Sequence, residues 1–170
     1  QYEGVLKEHQ AVREACGLFD VSHMGEIFIE GDDAFSFLQK ITINDGHKLE
    51  LGQGQYTAFC LPSGGLIDDL ILYRLEEKLF LACVNASNTD KDFAWMEKQA
   101  TGFHQLSLTN KSKEWAQLAL QGPKSEEALS SLLLEEDKEK QQNQKYMQIQ
   151  NYQLLAHPVF TTWLDHMYDN

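Results

Sequence analysis

Two adjacent acids, Asp68 and Asp69, follow the glycine turn Leu61-Pro62-Ser63-Gly64-Gly65 and stand at the head of an apolar run, Leu70-Ile71-Leu72-Tyr73. A carboxylate in such a run is costly to bury without a partner or a pKa shift, so the pair could orient a ligand or carry a proton. The plain alternative is a turn whose aspartates face water while Tyr73 is ordinary core packing. Register arithmetic bears on the choice. A turn over residues 62–65 sets Leu61 opposite Leu66, Ala58 opposite Asp69 and Tyr56 opposite Ile71. A connection over 76–78 then pairs Leu75 with Leu79, Tyr73 with Leu81, Ile71 with Cys83 and Asp69 with Asn85. One face would carry Tyr56, Ile71, Tyr73, Leu81 and Cys83 around a single polar pair, Asp69 and Asn85, which is pocket chemistry. Alternation turns Asp68 to the other face beside Leu70 and Leu72, provided the register does not slip by one.

Other reactive side chains lack useful spacing. His9, His23, His47, His104, His157 and His166 form no His-x-His or His-x-x-x-His pair, and no Cys-x-x-Cys occurs, so no metal site is expected. Cys16, Cys60 and Cys83 are odd in number, far apart and set among apolar neighbours, which suits buried free thiols in a reducing compartment. Ser22 and His23 are adjacent without framing elbow glycines, so a structural turn over 20–23 is expected rather than a nucleophile and its base.

The elements that must hold these residues follow from periodicity. Val5, Leu6, Val12 and Ala15 recur at helical spacing over residues 3–16, with Gly17 placed for a left-handed helix end. Residues 26–30 read as a strand, after which Asp32 or Asp33 can cap a helix whose Phe35, Leu38 and Ile41 share a face, closed by an Asn44-Asp45-Gly46 turn. Strands over 55–61, 66–75 and 79–84 form an antiparallel meander. Asn88 can cap a helix to about residue 98 with Phe93, Met96 and Ala100 inward, strands follow near 103–108 and 115–121, and a helix runs from Gly122-Pro123 toward 134. Residues 135–144 contain no apolar side chain and read as a solvated helix extension or a connector. Tyr146, Tyr152, Phe160, Trp163 and Tyr168 follow without an assignable period.

The chain has 170 residues, 42% hydrophobic and 11% aromatic, enough for one domain or two small ones with a real core. Its 14 Lys and Arg against 26 Asp and Glu give a net charge of -12, a field that repels nucleic acid and anionic membranes, so neither is an expected partner. No apolar run approaches the roughly 20 residues of a membrane span, and Gln1-Tyr2-Glu3 shows no signal-peptide pattern.

Several blocks then fall into a recognisable order: Glu8-His9-x-Ala11-Val12-Arg13, Gly17-Leu18-Phe19-Asp20-Val21-Ser22-His23-Met24-Gly25-Glu26, Phe37-Leu38-Gln39, Gly64-Gly65-Leu66-Ile67-Asp68-Asp69-Leu70, Val84-Asn85-Ala86-Ser87-Asn88 and Leu118-Ala119-Leu120-Gln121-Gly122-Pro123. Over residues 1–125 this resembles the glycine cleavage system T-protein family of aminomethyltransferases. The resemblance implies an α+β fold, an antiparallel meander with flanking helices forming part of a folate-binding domain. It implies transfer of a one-carbon unit from the aminomethyl group on the lipoyl arm of H-protein to tetrahydrofolate, with ammonia released and methylenetetrahydrofolate formed. Asp69 matches the family's acid/base and orienting residue. Met24, Tyr56, Asp69, Tyr73, Cys83 and Asn85 match its folate contacts, with no metal. Partial burial is expected to raise the pKa of Asp69.

The family's Arg-Thr-Gly-Tyr-Thr-Gly-Glu-like segment after Gln121-Gly122-Pro123 has no counterpart, nor has the Gly- and Trp-containing stretch before Gln1. The expectation is therefore a portion of a longer enzyme: an incomplete folate-binding region over 1–134, a polar connector over 135–145 and an unassigned tail over 146–170. Folate-dependent demethylases, sarcosine dehydrogenase domains or a bare structural fragment are the alternatives. A bacterial cytosol is the expected compartment, the mitochondrial matrix the second choice.

Overall fold

The computed structural model describes residues 2–145, 147–154 and 157–162. A five-stranded antiparallel sheet, in the order β3-β4-β5-β2-β6, organises the molecule. Its strands are β2 (Gly25–Glu30), β3 (Gly54–Cys60), β4 (Leu66–Glu76), β5 (Leu79–Val84) and β6 (Ser107–Asn110). The expected meander is present as β3-β4-β5, with β2 paired to the far side of β5 and β6 to β2.

One sheet face is covered by α2 (Ala34–Ile41) and α3 (Thr89–Gln99). Ile27, Ile29, Leu70, Leu72, Phe80, Ala82 and Val84 meet Ala34, Phe37, Leu38, Ile41 and Met96 there, the main core. The buried stripe of α2 begins at Ala34 and Phe37, whereas Phe35 sits at its edge. Neither expected cap bonds its helix. Asp33 instead accepts the backbone N–H groups of His104 and Gln105, each at 2.9 Å, and Asp32 pairs with Lys78 at 2.5 Å, so both acids tie the helix entrance to neighbouring loops.

The opposite face packs Phe28, Tyr73 and Leu81 against Trp115 and Ile149. Here the chain end, unassignable by period, supplies a hairpin of β8 (Ile149–Leu154) and β9 (His157–Thr162). Gly54 N–H donates to the Met147 carbonyl at 2.5 Å and Ile149 N–H to the Gly52 carbonyl at 2.7 Å, which fastens the hairpin to the β3 end of the sheet. Phe160 stacks on Trp115, centroids 5.6 Å apart, and Trp115 leans on Phe28 at 5.3 Å. Tyr146, Trp163 and Tyr168 lie outside the described residues.

At the other end, α1 (Val5–Glu14) leads into β1 (Gly17–Asp20), which pairs with β7 (Leu118–Gln121). Gly17 does not terminate α1 with a left-handed turn as expected. The helix closes at Ala15, and the left-handed glycine is Gly122, at φ +119°, whose absent Cβ would lie 2.5 Å from the Val12 carbonyl. α1 has no fully buried residue, and Val5 and Leu6 face outward.

The predicted helix toward 134 stops early. α4 spans Ser125–Ser130, tight turns through Leu132 and Leu133 end it, and α5 (Glu135–Gln142) starts anew. This polar segment is anchored without apolar side chains. Asp137 and Gln141 are buried; Gln141 accepts from Ser130 Oγ and Asp137 Oδ2 accepts the Gln153 N–H of β8 at 2.8 Å. The Lys140 ammonium at 2.7 Å and that backbone N–H hold the Asp137 carboxyl below its ordinary pKa. Asp137→Ala is expected to speed hydrogen exchange at the Gln153 amide while the β4 and β5 amides exchange as before. An unchanged Gln153 rate would remove this anchor.

Candidate functional site

The register around Asp69 follows the turn arithmetic. Ala58 pairs with Asp69, Tyr56 with Ile71, Ile71 with Cys83 and Tyr73 with Leu81. The loop ends differ from it. Cys60, not Leu61, faces Leu66, and Glu76, not Leu75, faces Leu79, because a bulge at each end absorbs one residue. The site keeps its pairing because both irregularities lie outside it.

Alternation places three rows on this face: Ala58, Asp69 and Asn85; Tyr56, Ile71, Cys83 and Glu26; Gly54, Tyr73, Leu81 and Phe28. Continuing the Gly25↔Val84 pairing by one step carries the first row to Met24, at the turn closed by its N–H to the Val21 carbonyl at 3.0 Å. The six expected residues thus share one sheet face, but not one environment. Tyr56 is 63% exposed and Asp69 is also exposed, while Met24, Cys83 and Asn85 are half-buried. Tyr73 is 5% exposed, its ring against Gly54 and its cluster mates Phe28 and Leu81. It is a core residue beneath the site in this structure.

Asp69 is held from two sides. Tyr56 Oη donates to Oδ2, and Asn85 Nδ2 donates to Oδ1 at 2.9 Å. The phenol first, and then the amide, hold the Asp69 carboxyl below its ordinary pKa; the bond to Asp69 raises that of Tyr56. This corrects the expectation that burial would raise Asp69: the carboxylate is exposed, so the donors win over desolvation. As built, Asp69 is an ionised acceptor and a weak base. Its face offers a flat phenol ring, a carboxylate and a fixed amide to a planar heterocycle bearing N–H groups.

Asp68 turns to the helix-bearing face, as alternation requires, although its Oδ1 still receives Asn85 Nδ2 at 3.2 Å. Cys83 Sγ lies 3.6 Å from the Gln117 amide, and burial pushes its thiol up, so it is a neutral wall residue. Ser22 is a turn residue: its Oγ accepts the Gln117 N–H at 3.0 Å, and its own N–H donates to Asp20 Oδ1 at 3.0 Å. Among the described residues no group of three or more His, Cys, Asp or Glu is placed to hold a metal.

Two acids were missed by sequence reasoning. Glu26 is 4% exposed with both carboxylate oxygens unpartnered, and burial raises its pKa. Its alternation with Phe28 gave the signal, once β2 is known to pair with β5. Asp92 is wholly buried in α3, four residues before Met96 and therefore on the same helix face.

The sequence matches the family described as GCVT N-terminal domain over residues 1–163. It is 54% identical over 132 residues to an aminomethyltransferase of Desulfitobacterium hafniense (strain DSM 10664 / DCB-2), and 50% identical over 132 residues to one of Bacillus subtilis (strain 168). Each alignment takes in 78% of this chain and 36% of the relative, so the chain spans about a third of their length. The crystal structure of glycine cleavage system aminomethyltransferase T from Bartonella henselae superposes with a TM-score of 0.72 at 38% identity, over 86% of this chain and 38% of that one. The α+β sheet-and-helix arrangement found here superposes on that structure, and the chain belongs to the GCVT N-terminal domain family.

Proposed function

We propose that this chain forms the N-terminal, folate-binding part of an aminomethyltransferase. The reaction is transfer of the one-carbon unit from aminomethyl-lipoyl H-protein to tetrahydrofolate, with release of ammonia, in a bacterial cytosol. The observation that carries the reading is the Tyr56–Asp69–Asn85 hydrogen-bonded set on an open sheet face, in a chain about half identical to bacterial aminomethyltransferases.

Tetrahydrofolate supplies the nitrogen that takes up the one-carbon unit. Asp69 accepts hydrogen bonds from pterin N–H groups, and its negative charge favours positive charge developing on the reacting nitrogens. In the free protein its lowered pKa makes it a poor proton acceptor. A bound pterin that excludes water and takes the place of the Tyr56 phenol raises that pKa toward the range useful for proton transfer. Met24 and Tyr56 flank the ring, Asn85 holds the carboxylate, and Cys83 and Ile71 form the wall.

Calorimetric titration of the chain with tetrahydrofolate tests this. Asp69→Ala is expected to weaken binding about tenfold to a hundredfold, the equivalent of ~1.5–3 kcal/mol for a hydrogen bond to a charged group. Tyr56→Phe, which frees Oδ2 but keeps the ring, should alter affinity far less. Affinity indifferent to Asp69 would remove the reading.

A further inference from the structure

Behind the exposed carboxylate, on the helix-bearing face of the sheet, lies a second acid pair. Asp92 is 0% exposed, and both its oxygens, like Asp68 Oδ2, are buried without a conventional donor. Lys91 reaches both Asp92 and the Ile67 carbonyl and so sets α3 against the start of β4, where the neighbouring Asp68 carboxyl joins burial in pushing the Asp92 carboxyl up. Two carboxylates so placed cannot both stay ionised, so a proton between them is the arrangement that satisfies both. Lys91 Nζ stands 3.7 Å from Asp92 Oδ1, but it is half-exposed and donates to the Ile67 carbonyl at 3.0 Å.

The side that carries the proton follows from burial and from the donors within reach. The Asn85 amide nitrogen has two hydrogens and three oxygens in range: Asp69 Oδ1 at 2.9 Å, the Asp69 carbonyl at 3.1 Å and Asp68 Oδ1 at 3.2 Å. Asp68 is half-buried with the Asn85 amide beside Oδ1, whereas Asp92 is wholly buried with no donor nearer than Lys91, so the proton rests on Asp92. We infer that Asp92 is a positioning residue for the Asp69 site: as a neutral acid it donates to Asp68, and the anchored Asp68 fixes the Asn85 amide so that one hydrogen stays on Asp69. The inference rests on the reading of Asp69 as the folate-facing acid only for its functional consequence. Without the Asp92 hydrogen, Asp68 becomes the stronger acceptor and draws Asn85 away from Asp69.

Two variants separate donor from filler. Asp92→Asn keeps a donor without a titrating proton; Asp92→Ala removes both. The wild-type minus Asp92→Asn infrared difference spectrum at neutral pH should show the carbonyl stretch of a protonated carboxylic acid. The carboxyl 13C titration of Asp69, assigned by its loss in Asp69→Asn, should keep its midpoint in Asp92→Asn and move upward in Asp92→Ala. Tetrahydrofolate affinity should follow the same order. Absence of the band, or equal shifts of Asp69 in both variants, overturns the inference. Should Asp92→Ala not fold, the difference band together with an unmoved Asp69 midpoint in Asp92→Asn still decides it. If wild-type chain binds no folate, the band and the midpoints test the pair alone; folate binding that depends on Asp69 without a band retains the folate reading and rejects Asp92.

Discussion

Replacing Asp92 by Asn is expected to flatten the loss of folding stability between mildly acidic and mildly alkaline pH. Burial first, and then the neighbouring Asp68, push the Asp92 carboxyl up to about 7 from an ordinary 3.8. Its folded pKa lies above its unfolded one, so the folded protein binds more protons through that window and stability falls as pH rises from about 4 to about 7. Roughly three pKa units at about 1.36 kcal/mol each give at most about 4 kcal/mol, less whatever Lys91 and local relaxation return. Urea unfolding of both proteins from pH 4.5 to 8.5 measures it. The wild-type curve should descend relative to the variant, and parallel curves would show that no proton is held there.

The second large effect concerns the joint between β2 and α2. Gly31 has φ +125°, and a Cβ there would lie 2.1 Å from the Gln105 carbonyl oxygen. That carbonyl cannot retreat, because it accepts the Asp33 N–H at 3.0 Å while the Asp33 carboxylate holds the neighbouring backbone N–H groups. Gly31→Ala is therefore expected to cost about 2–5 kcal/mol, backbone strain added to a collision with main chain. Gly102 is the control: it has φ +97°, but a Cβ there meets nothing within 4 Å, so Gly102→Ala should cost only about 1 kcal/mol. Urea midpoints that fall equally in the two variants would show that the close approach at Gly31 has no energetic weight.

The placement of the candidate residues was legible wherever local rules suffice. Turn lengths and a two-residue side-chain period put Asp69 opposite Ala58 and beside Asn85, and turned Asp68 away. The motif order over the same residues pointed to the family that the chain belongs to. Strand ends were less legible, since bulges near Cys60 and Leu75 answer to packing rather than to turn length.

What stayed hidden depends on contacts between segments distant in sequence. Tyr73 reads as a ligand wall until the β8–β9 hairpin and Trp115 are seen over that end of the sheet. The segment 135–145 reads as a connector because its anchors are the polar Asp137 and Gln141, for which hydrophobic periodicity has no signal. Asp92 reads as one more charge in a polar helical turn until α3 lies against the start of β4 and buries it.

By itself, then, the sequence determined the meander, its register and the side of the sheet on which Asp69 stands, because strand alternation and short turns are local properties of the chain. Only the tertiary structure decided the charge states. Whether a carboxyl is lowered, as at Asp69, or raised, as at Asp92, depends on which donors and which dry surfaces other segments bring to it, and no local pattern encodes that.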